Sequence, residues 1–188
     1  MNKAIFCSFF LQYFYENNTA MLKESVENIL NVQVEREAYS SSLYLAMASW
    51  AEANGYAGTA QWLYKQSDEE RMHMLKLIHY INERGGHALV PKLKEPPKEQ
   101  NGIKEMFEDI LKHEQFISAS INEIVAKTIE EKDFTTQHWV QWFVNEQIEE
   151  EAQVTAILDK LKLLGNNNIY LFDRDIVGLR NSNDEETE

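Results

Sequence analysis

Apolar residues return at steps of three and four through four long stretches of this chain, the period of helices that bury one face. In the first, from Leu22 to about Ala53, the inward stripe reads Leu30, Val34, Glu37, Ser41, Tyr44, Ala48 and Ala51, and Asn54-Gly55 supplies the stop. The second, about Tyr56 to Arg84, carries Leu63, Gln66, Glu70, His73, Leu77 and Tyr80 and halts at Gly85-Gly86. The third, about Ile103 to Glu131, reads Ile103, Phe107, Ile110, Glu114, Ile117, Ile121 and Ile124. The fourth, about Thr136 to Leu164, reads Val140, Phe143, Gln147, Glu150, Val154, Ile157, Leu161 and Leu164, and Gly165 with three asparagines breaks it. Ile169 to Leu179 is long enough for one short fifth helix, and Asn181 to Glu188 reads as a solvated acidic tail.

Residues 87–101 hold all three prolines, Pro91, Pro96 and Pro97, and cannot be regular helix. The stretch is long for a link between antiparallel neighbours, so it is expected to run along a bundle and leave its flanking helices parallel. The predicted fold is all-α, a single four-helix domain over residues 21–180. Residues 1–20 are expected to be an extension outside that fold, as a start codon read too early would give, with a leader or an N-terminal contact segment as the alternatives. Their apolar run resembles a secretory leader only loosely, because Gln12 interrupts it and Asn18 with Ala20 is not a small-x-small cleavage site.

Composition agrees with a helical chain of few turns: seven Gly and three Pro among 188 residues, with 26% charged and 44% apolar. A net charge of −13 argues against direct nucleic-acid binding and favours cations as partners, although solubility alone also accounts for it. The single cysteine, Cys7, excludes an intrachain disulfide framework and a four-cysteine zinc site. It is compatible with a reducing cytoplasm, the expected location. No apolar run approaches the ~20 residues that span a bilayer.

The polar members of the stripes carry the chemistry. Each long helix covers roughly 30 residues, on the order of 40 Å, and its inward polar residues lie about half-way along. Mid-helix positions meet at one height whichever way helices run, so Glu37, Glu70, His73, Glu114, Gln147 and Glu150 should converge in one layer. Four buried carboxylates without cations repel one another and cannot all ionise. Oxygen-rich ligation with one imidazole points to Fe, Mn or Mg rather than to a thiolate metal. Four carboxylates balance two divalent ions, with Glu70 placed to bridge them. Taken singly, Glu37 reads as a snorkelling carboxylate and Tyr44 as a core tyrosine with a bonded hydroxyl. Beside a metal, Tyr44 could donate an electron or a hydrogen bond. Glu69, Glu146 and Glu149 adjoin the core ligands and read either as a solvated acidic face or as holders of a third ion. His79, His87, His113 and His138 read as surface or packing residues.

The runs Arg36-Glu-Ala-Tyr-Ser-Ser, Asp68-Glu-Glu-Arg-Met-His, Lys112-His-Glu-Gln and Asn145-Glu-Gln-Ile-Glu-Glu-Glu resemble those of bacterial non-haem ferritins, and the resemblance covers residues 21–180. It implies a ferritin-like four-helix bundle with a long crossover and a short fifth helix at a four-fold axis of a 24-subunit shell. It implies a ferroxidase centre, with one iron held by Glu37, Glu70 and His73 and a second by Glu70, Glu114 and Glu150, lined by Gln147. Glu69, Glu146 and Glu149 would match a third, transit-type iron site, and Tyr44 the tyrosine beside the centre. The implied activity is oxidation of Fe(II) by dioxygen and storage of ferric oxide inside the shell. Haem is not expected, since Arg71 stands where haem-containing relatives place a ligating Met, and Gln147-x-x-Glu150 replaces their second Glu-x-x-His. A DNA-protecting mini-ferritin is the alternative, and the absence of a basic tail counts against it.

Overall fold

The computed structural model describes residues 22–165 and 168–180. Four long helices, α1 (Glu24–Ala53), α2 (Ala57–Glu83), α3 (Ile103–Glu130) and α4 (Phe134–Leu164), are followed by two short ones, α5 (Ile169–Asp175) and α6 (Val177–Arg180). The expectations for residues 1–20 and 181–188 fall outside the described residues. No helix among those described is long and apolar enough to cross a membrane.

Side-chain bonds between helices fix their directions. Near its start α1 meets the end of α3, where Lys23 Nζ donates to Glu131; further along, Tyr44 donates to Glu114. Between α1 and α2, Ser41 bonds Ser67 and Glu52 bonds Tyr64, and between α2 and α4, Gln66 bonds Glu150 and Tyr80 bonds Thr136, so in each pair the numbering rises on one helix as it falls on the other. So α1 is antiparallel to α2 and α3, and α4 is antiparallel to α2 and α3. The crossover, residues 84–102, therefore joins two parallel helices, as its proline content led us to expect. It is tacked along α1: Asn31 donates to His87 O and accepts from Leu89 N, and Glu27 accepts from His87 N.

Local chemistry explains the helix ends. Gly55 sits at φ +84°, a conformation glycine adopts without strain, and lets the chain turn within three residues from α1 into α2. The fourth helix begins two residues before the expected Thr136, because Asp133 caps it by accepting from Thr136 N at 3.1 Å. The fifth element is two segments rather than the single helix expected over 169–179. At buried Ile176 an i→i+3 bond from Leu179 N tightens the turn and divides them. Asp173 of α5 accepts from Gly58 N and from Thr59 N and Oγ1, capping α2 from outside its own chain segment. Gly58 is what permits that approach, since a Cβ there would collide with the Asp173 carbonyl.

The core is divided. One apolar half gathers Leu43, Met47, Trp62, Leu63, Phe107, Ile110, Ile157, Phe172 and Ile176; the other gathers Leu30, Val34, Leu77, Ile81, Ile117, Ile121, Val140 and Phe143. Between them lies a waist of buried polar residues: Gln33, Glu37, Gln66, Glu70, His73, Glu114, Ser120, Gln147 and Glu150. Truncating a leucine or isoleucine in either half costs about 2–5 kcal/mol, so the halves hold the bundle. The waist is a burden on it unless its charges are met.

Candidate metal centre

Each helix delivers its polar residues to the waist by the same device, a break of one or two positions in an otherwise apolar stripe. On α1 the break is Glu37, between Val34 and Tyr44; on α3 it is Glu114, with Ile110 and Ile117 one turn away on either side. On α2 it is Glu70 with His73, and on α4 Gln147 with Glu150. All six are buried, and the four glutamates and His73 are no more than 2% exposed. Across the helices Tyr44 bonds Glu114, Gln147 bonds Glu114, and Gln66 bonds Glu150.

Within that layer the ligand atoms are not evenly spread. Among the described residues, two triads bring one ligand atom each within 4.8 Å of the others: Glu37, Glu70 and His73, and Glu69, His73 and Glu146. The Glu70, Glu114 and Glu150 set is not drawn into a third triad of that tightness. Glu114 is instead held by neighbours, Oε1 accepting from the Tyr44 hydroxyl and Oε2 from Gln147 Nε2 at 3.1 Å. Glu150 Oε1 accepts from Gln66 Nε2 at 2.8 Å. Of the outer acidic group, Glu69 and Glu146 are partly buried beside His73, whereas Glu149 is exposed and stands apart from the triad.

The electrostatics are those of carboxylates crowded without a counter-ion. Burial, then the neighbouring Glu70, pushes Glu37 well above the ordinary carboxylate range; His73 and the Gln33 amide only partly offset this. Glu70 is pushed up to about 8, by burial first and by Glu114 second. Burial followed by Glu114 and Glu70 raises Glu150 well above its usual range. Tyr44 is raised too, by burial and then by Glu114. Burial raises Glu146 more weakly, His73 acting against it.

Two buried atoms of the ligand type, His73 Nε2 and Glu150 Oε2, carry no hydrogen bond among the described residues, and the Glu37 carboxyl has the Glu70 carboxyl as a hydrogen-bond neighbour. A buried polar atom without a partner is destabilising by roughly 1–3 kcal/mol, and two in one waist, beside carboxyls crowded enough to hold their protons, are hard to reconcile with a purely structural role. Cations relieve both problems at once. They accept the lone pairs of the bare atoms and replace the protons that burial forces onto the carboxylates. The donor set of oxygens and one imidazole suits iron or manganese.

The other four histidines are where the pattern put them. His79, His87 and His138 are exposed. His113 packs edge-on against Tyr44 and bonds Ser40 Oγ at 2.7 Å, and burial lowers its pKa. Three polar residues of the waist were not assigned a role by sequence reasoning: Gln33, Gln66 and Ser120. The only signal for the two glutamines is position, each lying four residues before a ligand on its own helix.

The ferritin-like domain family profile matches residues 27–164. A probable bacterial non-haem ferritin-like protein of Haemophilus influenzae is 43% identical over 161 residues, covering 85% of this chain and 98% of that one. The bacterial non-haem ferritin of Campylobacter jejuni is 40% identical over 156 residues, covering 82% of this chain and 93% of its own. Among solved structures, an open pore ferritin from Archaeoglobus fulgidus superposes with a TM-score of 0.82 at 36% identity, over 85% of this chain and 98% of that one. With a divided four-helix core, a buried carboxylate–imidazole waist and relatives matched over nearly their whole length, this chain belongs to the bacterial non-haem ferritin family.

Proposed function

We propose that this protein is an iron-storage protein with ferroxidase activity. It binds Fe(II) as substrate at the waist, oxidises it with dioxygen, and keeps the ferric product as oxide mineral inside a hollow shell of 24 copies in the cytoplasm. Family membership supports iron storage. The observation that supports a metal centre is the pair of bare buried ligand atoms, His73 Nε2 and Glu150 Oε2, beside the crowded Glu37 and Glu70 carboxyls.

Glu37, Glu70 and His73 would hold one ferrous ion, and Glu70, Glu114 and Glu150 the other, with Glu70 common to both. Each ferrous ion supplies one electron to dioxygen, so a pair held together delivers two in one event. What the chain itself does is binding, orientation and proton release. The four carboxylates match the charge of two divalent ions, and Tyr44 and Gln147 hold Glu114 in place by its two oxygens. Protons held on Glu37, Glu70 and Glu150 in the metal-free protein must leave as the cations enter. Glu69 and Glu146 beside His73 offer a third site, with Glu149 at its exposed margin. All these ligands come from one bundle, which favours this reading over a mini-ferritin with sites between subunits.

Two measurements on the purified protein test the reading. Stopped-flow mixing of anaerobic protein with Fe(II) and dioxygen is expected to show a fast oxidation phase that saturates at two Fe(II) per chain. Analytical ultracentrifugation is expected to give a particle 24 times the 22.0 kDa chain. A particle half that size would favour the mini-ferritin arrangement. Oxidation no faster than Fe(II) in buffer would remove the ferroxidase assignment.

A further inference from the structure

Gln33 is wholly buried one helical turn before Glu37, and its side chain lies between two partners. Gln33 Nε2 donates to Glu37 Oε1 at 2.7 Å, and Gln33 Oε1 accepts from Ser120 Oγ at 2.7 Å. Ser120 is itself buried on α3, 87 residues further along the chain, with its hydroxyl also 2.7 Å from Ile117 O. An amide has one donor end and one acceptor end. The end facing Glu37 is the NH2 group, the orientation that an ionised, cation-bound carboxylate requires, since the reversed amide would then set oxygen against oxygen. In that orientation Ser120 Oγ donates to Gln33 Oε1, its one proton shared with Ile117 O. One oxygen of Glu37 is thus committed to Gln33, the other, Oε2, has no amide partner, and Glu37 offers one ligand atom to the group with Glu70 and His73. The arrangement recurs across the waist, where buried Gln66 takes Glu150 Oε1 and leaves Oε2 bare.

We propose that Gln33, oriented by Ser120, is a positioning residue that presents Glu37 to a metal ion through Oε2 alone. The proposal rests on the metal-centre reading and adds to it a residue that touches no metal. Its effect is preorganisation: a carboxylate fixed by a partner does not have to be ordered when the cation arrives. A substitution here weakens the Glu37 side of the centre and leaves the Glu114–Glu150 side as it was.

Anaerobic Co(II) titration of the full-length protein, followed by the d–d absorption of the bound ion, tests this without any oxidation step. Gln33→Met conserves volume and removes both bonds. It is expected to weaken one of two Co(II) sites by about 10–100-fold, the usual effect of losing such a partner, and to change that site's absorption band. Ser120→Ala should produce a smaller loss at the same site, and Ser120→Thr should restore binding. Since Ser120 acts through Gln33, the double variant should bind no worse than Gln33→Met alone. In a Glu37→Gln background, Gln33→Met should change nothing further. Equal weakening of both sites, or additive effects of the two substitutions, would overturn the proposal and leave Gln33 a packing residue. Wild-type protein that binds no Co(II) would instead overturn the metal-centre reading, and this proposal with it.

Discussion

Replacing Glu70 by alanine is expected to abolish the fast phase of Fe(II) oxidation. Loss of a residue that only supports a ligand costs about 10–100-fold in metal affinity. Glu70 is itself a ligand candidate shared between both ions, so its removal should lower the rate at least about a hundredfold. His73→Ala is expected to fail similarly, since His73 belongs to both tight triads. Neither change should dissolve the bundle, because the two apolar halves lie on either side of the waist and do not depend on it. Glu70→Gln, close in volume, should leave the thermal midpoint of the metal-free protein unchanged or higher, as it removes a carboxyl that burial disfavours. Glu149→Ala is the control: exposed and apart from the triads, it should leave the first turnover intact. Stopped-flow absorbance with circular dichroism on the same preparations checks all four variants. A Glu70→Ala protein that oxidises Fe(II) at the wild-type rate would defeat the assignment of the centre.

The second large effect is on the metal-free protein, and it follows from the direction of the carboxyl shifts. Glu37, Glu70 and Glu150 hold their protons more tightly in the fold than in the unfolded chain, Glu70 at about 8 against an ordinary 4.5. Groups shifted upward contribute stability that is fully present below the ordinary value and is lost as pH rises through the folded value. The metal-free thermal midpoint should therefore fall between about pH 4.5 and pH 8 on account of this cluster. Saturating Zn(II) should flatten the fall, because the cations take the place of the protons. Calorimetric titration of Zn(II) at pH 7 should also release protons, seen as a heat that varies with the ionisation enthalpy of the buffer. The triple variant Glu37→Gln, Glu70→Gln, Glu150→Gln should show neither the fall nor the proton release. A midpoint that rose across this range in the wild type and not in the triple variant would contradict the electrostatic account.

Much of this was legible in the sequence, for a physical reason. A helix that buries one face repeats that face every three to four residues, so an interrupted stripe exposes its polar members at once. Glu114 among isoleucines is the clearest case. The proline-rich 87–101 stretch likewise announced a crossover, because proline denies the chain a helix and the length denies it a hairpin. What the sequence withheld depends on how helices rotate against one another. Nothing local says that Ser120 rather than Ser118 turns toward Gln33, or that Ser118 bonds Glu151 instead. The same is true of the outer acidic group: Glu146 and Glu149 lie three apart on α4, yet only Glu146 comes within reach of His73. The division of the fifth helix at Ile176 is also tertiary in origin, since the side chain there is drawn into the core.

The proposal that four stripes meet at one metal-binding waist is best tested by diffraction at the iron absorption edge, on crystals of the protein soaked anaerobically in Fe(II). Two anomalous peaks per chain are expected, one between Glu37, Glu70 and His73, the other between Glu70, Glu114 and Glu150, with Glu70 reaching both. Iron found only on exposed carboxylates, with the waist empty at saturating Fe(II), would contradict the account.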